Sequence, residues 1–129
     1  MRAIPVETRE RCVLVDVTDA VERAVAELGI ETGAALVWSP HTTAGVTVNE
    51  GYDPDVATDL LRRLEGLAPS DAGDRHAEGN SDAHLKTALV GTAEVVPVER
   101  GRLALGRWQR VFLCEFDGPR RRELQIRPI

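Results

Sequence analysis

Short apolar stretches alternate with polar punctuation along the whole chain, and the period of each stretch predicts its element. Arg11 to Val17 is apolar and rich in β-branched residues, a strand that follows a short opening strand and turn over Ala3 to Arg11. Val21, Ala24, Val25 and Leu28 then recur at helical spacing. Thr18 or Asp19 offers an N-cap, Glu22 completes a capping box with Asp19, and Gly29 closes a helix of about Asp19 to Leu28. Ala34 to Trp38 is a second buried strand. Val46 to Val48 is a short third one that ends at Asn49-Glu50-Gly51. Asp53-Pro54-Asp55 opens a second helix with a cap, a proline at the first helical position and an acid in the first turn. Its inner face is Val56, Leu60, Leu61 and Leu64, and it runs to about Glu65. A polar connection, Gly66 to Arg75, leads to a third helix of about Ala83 to Val90. That helix is capped by Ser81 or Asp82, turns Leu85, Ala88 and Leu89 inward and stops at Gly91.

The last third reads as β-structure. Strands over Glu94 to Val98, Arg102 to Leu105, Gln109 to Phe116 and Arg122 to Arg127 are separated by turn residues at Arg100-Gly101, Gly106 and Asp117-Gly118-Pro119. Strands dominate and do not alternate steadily with helices. The class is therefore α+β: a β-rich single domain over residues 1–129, with its strands in a sheet or sandwich and about three helices.

Composition narrows the function classes. A chain of 129 residues is one domain and needs neither disulfides nor a structural metal to build a core. No apolar run nears the ~20 residues of a membrane helix, and no secretory leader pattern opens the chain. The expectation is a cytoplasmic protein without a membrane partner. The net charge of −5 argues against a general nucleic-acid binder. From Gly101 onward, however, seven Arg face three acids. Arg107, Arg110 and Arg120 to Arg122 suit either a local anionic ligand or charge-protected edge strands. Cys12 and Cys114 sit in apolar alternating runs and read as buried free thiols.

The candidate chemistry lies in the polar segments. All three histidines fall there: His41 within Ser39-Pro40-His41-Thr42-Thr43-Ala44-Gly45, and His76 and His84 at the two ends of His76-Ala77-Glu78-Gly79-Asn80-Ser81-Asp82-Ala83-His84. They are expected to converge on one site. His84 falls in the first turn of the third helix, where the dipole disfavours a protonated imidazole. Two chemistries stay open. Three histidines are the ligand number of an open catalytic zinc site, with Glu78 orienting a ligand or acting as a base. Alternatively, His41 with Thr42 and Thr43, the helix start from Ser81 to His84 and nearby arginines form a phosphate site, where Gly45 and Gly79 admit a close ligand. Asn49 and Glu50 form a polar rim or a plain turn. Trp108 and Gln109 either stack a ring ligand or pack into the core. No Gly-x-Ser-x-Gly elbow and no Walker-type loop is present.

The runs His41 to Glu50, Asp53 to Val56, His76 to His84, Gly106 to Gln109 and Phe112 to Arg120 together resemble the YjbQ family, formerly an uncharacterised protein family, over nearly the whole chain. The resemblance implies a compact α+β homotrimer with a secondary thiamine-phosphate synthase activity, a transferase joining a pyrimidine diphosphate to a thiazole phosphate. It implies a site from His41, Asn49, Glu50, His76, Glu78, Asn80, His84, Trp108 and Gln109. Joined to the reading of the residues, which adds Thr42 and Thr43, this gives catalytic roles to Glu78, His84 and Glu50. Substrate contacts would come from Thr42, Thr43, Asn49, Asn80, Trp108 and Gln109, and a divalent metal would sit at His41, His76 and His84. Zinc is the first candidate, with magnesium accompanying a diphosphate substrate. The alternative is a metal- or anion-binding homotrimer without turnover. The chain departs from the family pattern at Arg107 and Arg110, where the family tends to carry Thr and Gly.

Overall fold

Val111-Phe112-Leu113-Cys114 is apolar without a break because the strand that carries it is covered on both faces. In the computed structural model, which describes residues 1–73, 75 and 79–129, this strand is β7 (Gln109–Glu115). It is the centre of a three-stranded antiparallel sheet in the order β2 (Val13–Asp16), β7, β4 (Ala44–Glu50). A second, five-stranded sheet runs in the order β1 (Arg2–Glu7), β8 (Arg121–Pro128), β3 (Thr32–Trp38), β5 (Ala93–Glu99), β6 (Arg102–Leu103), and all its pairs are antiparallel. Three helices complete the chain: α1 (Thr18–Glu27), α2 (Pro54–Leu67) and α3 (Ser81–Val90).

The α+β class and nearly every element agree with the sequence pattern. The main core lies between the sheets: Val46, Val111 and Leu113 face Val37, Val98, Leu124 and Ile126, with Val21 and Val25 of α1 inserted beside them. On the other face of the small sheet, Cys114 and Phe116 pack against Ala83 of α3 and Leu61 and Leu64 of α2. No helix among the described residues is long and apolar enough to cross a membrane.

Local chemistry changes several details. α1 begins one residue early, at Thr18, because the Asp16 carboxylate accepts the Thr18 N–H at 3.0 Å. The expected box partner Glu22 instead accepts the Leu103 N–H at 3.2 Å. α2 is capped as expected, with Asp53 accepting the Asp55 N–H at 2.9 Å. Its apolar face, though, is only half-buried, and no α2 residue is fully covered. β4 reaches from Ala44 to Glu50, well beyond the expected three residues, because β7 pairs along its whole length. Cys12 is only part-buried, whereas Cys114 is sealed and its thiol is pushed up to about 12 by burial.

The largest correction concerns α3. Its inner face is not Leu85, Ala88 and Leu89 but Asp82, Ala83, Lys86 and Thr87. Leu85 and Leu89 remain 49% and 55% exposed. No side-chain hydrogen bond caps this helix: the cap position falls to Asn80, not to Ser81 or Asp82, and the Asn80 amide turns to Asp117. Asp82 is engaged inside the first turn. Its carboxylate takes both Arg11 amino groups (2.9 and 3.0 Å) and the Lys86 Nζ (2.8 Å), and Nζ also reaches Glu65 of α2 at 2.8 Å. Buried charges are tolerable when paired in this way. Burial opposes the Asp82 charge, but the hydrogen bonds from Arg11 and Lys86 outweigh it and hold the carboxyl at about 2 against its ordinary 3.8. Glu65 and Glu115 are lowered in the same direction. A depressed carboxyl stabilises the fold above its unfolded value and loses that contribution as pH falls through the folded one. Stability should therefore fall between pH 4 and pH 2, with Asp82 alone contributing about 2 kcal/mol. Thermal unfolding across that range should show the loss, and the Asp82→Asn variant should show a flatter profile.

Candidate functional site

β4 carries candidate residues at both ends, and its register with β7 fixes how far apart they lie. Thr43 directly precedes the strand and Glu50 closes it. Six residue steps from Thr43 to Asn49, at roughly 3.3 Å each, put the two ends about 20 Å apart.

At the Thr43 end, a buried ion pair organises the surroundings. Arg122 Nε donates to Glu115 Oε1 at 2.8 Å, and an Arg122 amino group donates to the Thr43 hydroxyl at 2.8 Å and to the Thr43 carbonyl at 3.3 Å. Glu115 also accepts the Thr8 hydroxyl (2.7 Å) and the Asp117 N–H (3.0 Å). Burial opposes the Glu115 charge, and the Arg122 bonds outweigh it. His41 stands beside this network with Nε2 at 3.0 Å from the Glu123 N–H and 3.1 Å from the Glu123 carbonyl. Burial, then the Arg122 charge, hold the His41 pKa below its ordinary value and keep the ring neutral. Nε2 is engaged by Glu123 in either tautomer, so Nδ1 is the nitrogen left for a ligand. It is a donor to an anion in one tautomer and a lone pair for a metal or proton in the other. Thr42 is exposed on the same turn, whereas the Thr43 hydroxyl is spent on Arg122.

The start of α3 lies at this same end. Asn80 donates to Asp117 at 2.7 Å, and the neighbouring Phe116 N–H donates to the Thr43 carbonyl at 3.2 Å. His84 is half-buried in the first turn, its N–H on the Asn80 carbonyl at 3.3 Å. The helix start is less open to a phosphate than its sequence implied. Its own Asp82 carboxylate already occupies the first turn, and the Asn80 amide is committed to Asp117. Asn80 Oδ1 is buried and has no partner among the described residues. His76 and Glu78 lie outside the described residues. Among those described, no group of three metal-ligating side chains is found.

The other end of β4 holds a different constellation. Trp108 is 53% exposed and is not the core residue that one reading of the sequence made it. Tyr52 meets it edge to face at 5.7 Å, and the Arg107 guanidinium lies 4.7 Å from its ring centre. The Gly51 N–H bonds the Trp108 carbonyl at 3.0 Å, which ties the two turns together. Glu50 accepts the N–H groups of Tyr52 and Asp53 (3.0 and 2.9 Å), so it shapes this turn and caps toward α2. Gln109 pairs with Glu50 across the ladder and accepts the Gly106 N–H at 2.8 Å. Arg110 is bound to Asp16 at 2.8 Å and does not crowd the ring. Asn49 spends its Oδ1 on the Glu50 N–H at 2.7 Å, and strand alternation points it to the opposite face from Glu50.

The expected residues therefore form two clusters within one chain: His41, Thr42, Thr43, Asn80 and His84 at one end of the small sheet, and Glu50, Trp108 and Gln109 at the other. Tyr52 escaped the sequence reading, although its place beside Gly51 in a polar turn marks an aromatic with no core to join. Glu115 escaped as well, and Arg122, expected to meet an anionic ligand or to guard an edge strand, is instead buried against Glu115. Charges inside otherwise apolar strands were the available signal.

Known proteins share this fold and much of this sequence. The family model described as "UPF0047 protein YjbQ-like" matches residues 2–129. UPF0047 protein YugU of Bacillus subtilis (strain 168) is 48% identical over 128 residues, covering 98% of this chain and 97% of that relative. A crystal structure of an uncharacterised YjbQ/UPF0047 protein from Clostridium acetobutylicum superposes with a TM-score of 0.97 at 41% identity and full coverage of both chains. A conserved hypothetical protein from Thermus thermophilus does so with a TM-score of 0.93 at 49% identity, again over both whole chains.

Proposed function

The chain belongs to the YjbQ family, and from that premise we propose that it is a cytoplasmic transferase joining a pyrimidine diphosphate to a thiazole phosphate, as a homotrimer whose site is completed between copies. The observation that carries this reading is the aromatic step at Trp108. An exposed indole face edged by Tyr52, with a guanidinium beside it, suits a flat heterocycle that bears a phosphate. In the reaction the thiazole nitrogen forms a bond to the methylene of the pyrimidine as the methylene–oxygen bond breaks, and the electron pair leaves with pyrophosphate. Trp108 holds a ring and Arg107 steadies the developing charge on the diphosphate. His41 offers Nδ1, and His84 stands in the helix start, for the phosphate end. Glu78 would take the proton-transfer role.

The separation of the two clusters by about 20 Å motivates assembly between copies, since a substrate of this size cannot span it. The outward Leu85 and Leu89 supply an apolar surface for such contact. A divalent metal could join His41 only through Nδ1, and magnesium would arrive with the diphosphate. The same surface would also serve a homotrimer that binds a metal or an anion without turnover.

Purified protein supplied with both substrates should release pyrophosphate and the joined product. Trp108→Ala should lower kcat/KM about tenfold through lost stacking, and His84→Ala should reduce it about 100-fold through lost proton transfer or phosphate orientation. Absence of product from the wild type would overturn the transferase reading.

A further inference from the structure

Between α2, α3 and the outer face of the small sheet lies a cavity of about 250 Å³. Leu60 and Leu64 of α2, Leu89 of α3 and Cys114 of β7 are among its apolar walls, and Thr47 and Asn49 of β4 are its polar ones. None of its lining side chains is charged. The apolar face of α2, which buries no residue fully, rests over this space, and none of the described residues fills it. The hydrogen-bonding capacity of the cavity is also unspent. Asn49 uses only its Oδ1, on the Glu50 N–H, so its amide hydrogens and the Thr47 hydroxyl have no partner among the described residues.

We infer that this cavity is a binding site for an uncharged, single-ring molecule that carries a hydrogen-bond acceptor, such as a carbonyl. Size sets the ring, because an apolar cavity of roughly 150 Å³ already takes benzene. The lining sets the charge: an anion or a cation would enter without a counter-charge and lose its hydration. The Asn49 amide sets the acceptor. Asn49 faces this cavity and not the Glu50 and Gln109 side of the sheet, so the inference stands whether or not the transferase reading does. Occupancy would cover Leu60 and Leu64 and seat α2 on the sheet.

Benzamide, toluene and benzoate are suitable probes, titrated into the full-length assembled protein and followed by amide NMR shifts. Benzamide should bind in the millimolar range expected of a fragment of its size, perturb α2 and Thr47, and outcompete benzoate. Asn49→Leu should weaken benzamide about fivefold and leave toluene unchanged. Leu64→Trp, which fills the cavity from the half-buried face of α2, should abolish both. The inference is overturned if benzamide fails to bind the wild type at about 10 mM, which is also the outcome if a second copy already fills the space. It is equally overturned if benzoate binds as well as benzamide, if Asn49→Leu leaves benzamide unaffected, or if Leu64→Trp still binds it.

Discussion

Arg122→Met should cost about 3–5 kcal/mol of folding stability, the expected penalty for leaving one partner of a buried ion pair alone. Arg122 is 4% exposed and Glu115 is fully covered. Without the guanidinium, the Glu115 carboxylate keeps only the Thr8 hydroxyl and the Asp117 N–H, and it either stays charged in an apolar setting or takes up a proton. The Thr43 hydroxyl loses its donor, and the turn that carries His41 loses its anchor. A domain of this size has a total stability of about 5–15 kcal/mol, so the variant should sit near the edge of folding. Urea unfolding measures it. A loss below about 1 kcal/mol would show that the pair is a surface-like contact and not a buried one.

Gly45→Ala should cost about 1–3 kcal/mol, the range for forcing an atom into a packed interior. A Cβ built at Gly45 falls 2.5 Å from the Gly91 carbonyl oxygen and 3.2 Å from Val90 Cγ1. The first contact is with backbone, at the point where the Val46 N–H bonds that same carbonyl at 3.0 Å. The end of α3 must therefore move off β4 to make room. Thermal unfolding should show a drop of several degrees, and the amides of Val46 and Gly91 should exchange faster. An unchanged melting temperature would mean that the end of α3 is not seated on Gly45. The result also assigns this glycine: the sequence read it as a place for close ligand approach, and the structure gives the space to a helix end.

Where local chemistry and tertiary packing agree, the sequence was legible. Pro54 after Asp53 marks a helix start in any context, and the unbroken Val111 to Cys114 run announces a strand buried on both faces. The orientation of α3 differs from its sequence pattern because two signals compete in it. Leu85, Ala88 and Leu89 make a plausible inner stripe, and only the partners of Asp82 and Lys86, namely Arg11 and Glu65 from distant parts of the chain, decide which face turns inward. The candidate residues were found as motifs, but not their grouping. His41 to Glu50 reads as one compact motif, yet an extended strand carries its two ends about 20 Å apart. A pattern along the chain contains no measure of that distance until the strand is known to be straight and paired with β7.

Assembly between copies is the claim on which the proposed function turns, and mixing two impaired variants tests it directly. His41→Ala and Trp108→Ala each remove one end of the proposed site. Co-refolded in equal amounts, they should form mixed trimers in which some junctions pair an intact Trp108 end with an intact His41 end. Random mixing then restores about one quarter of wild-type product formation. A mixture no more active than either variant alone would contradict a site shared between copies.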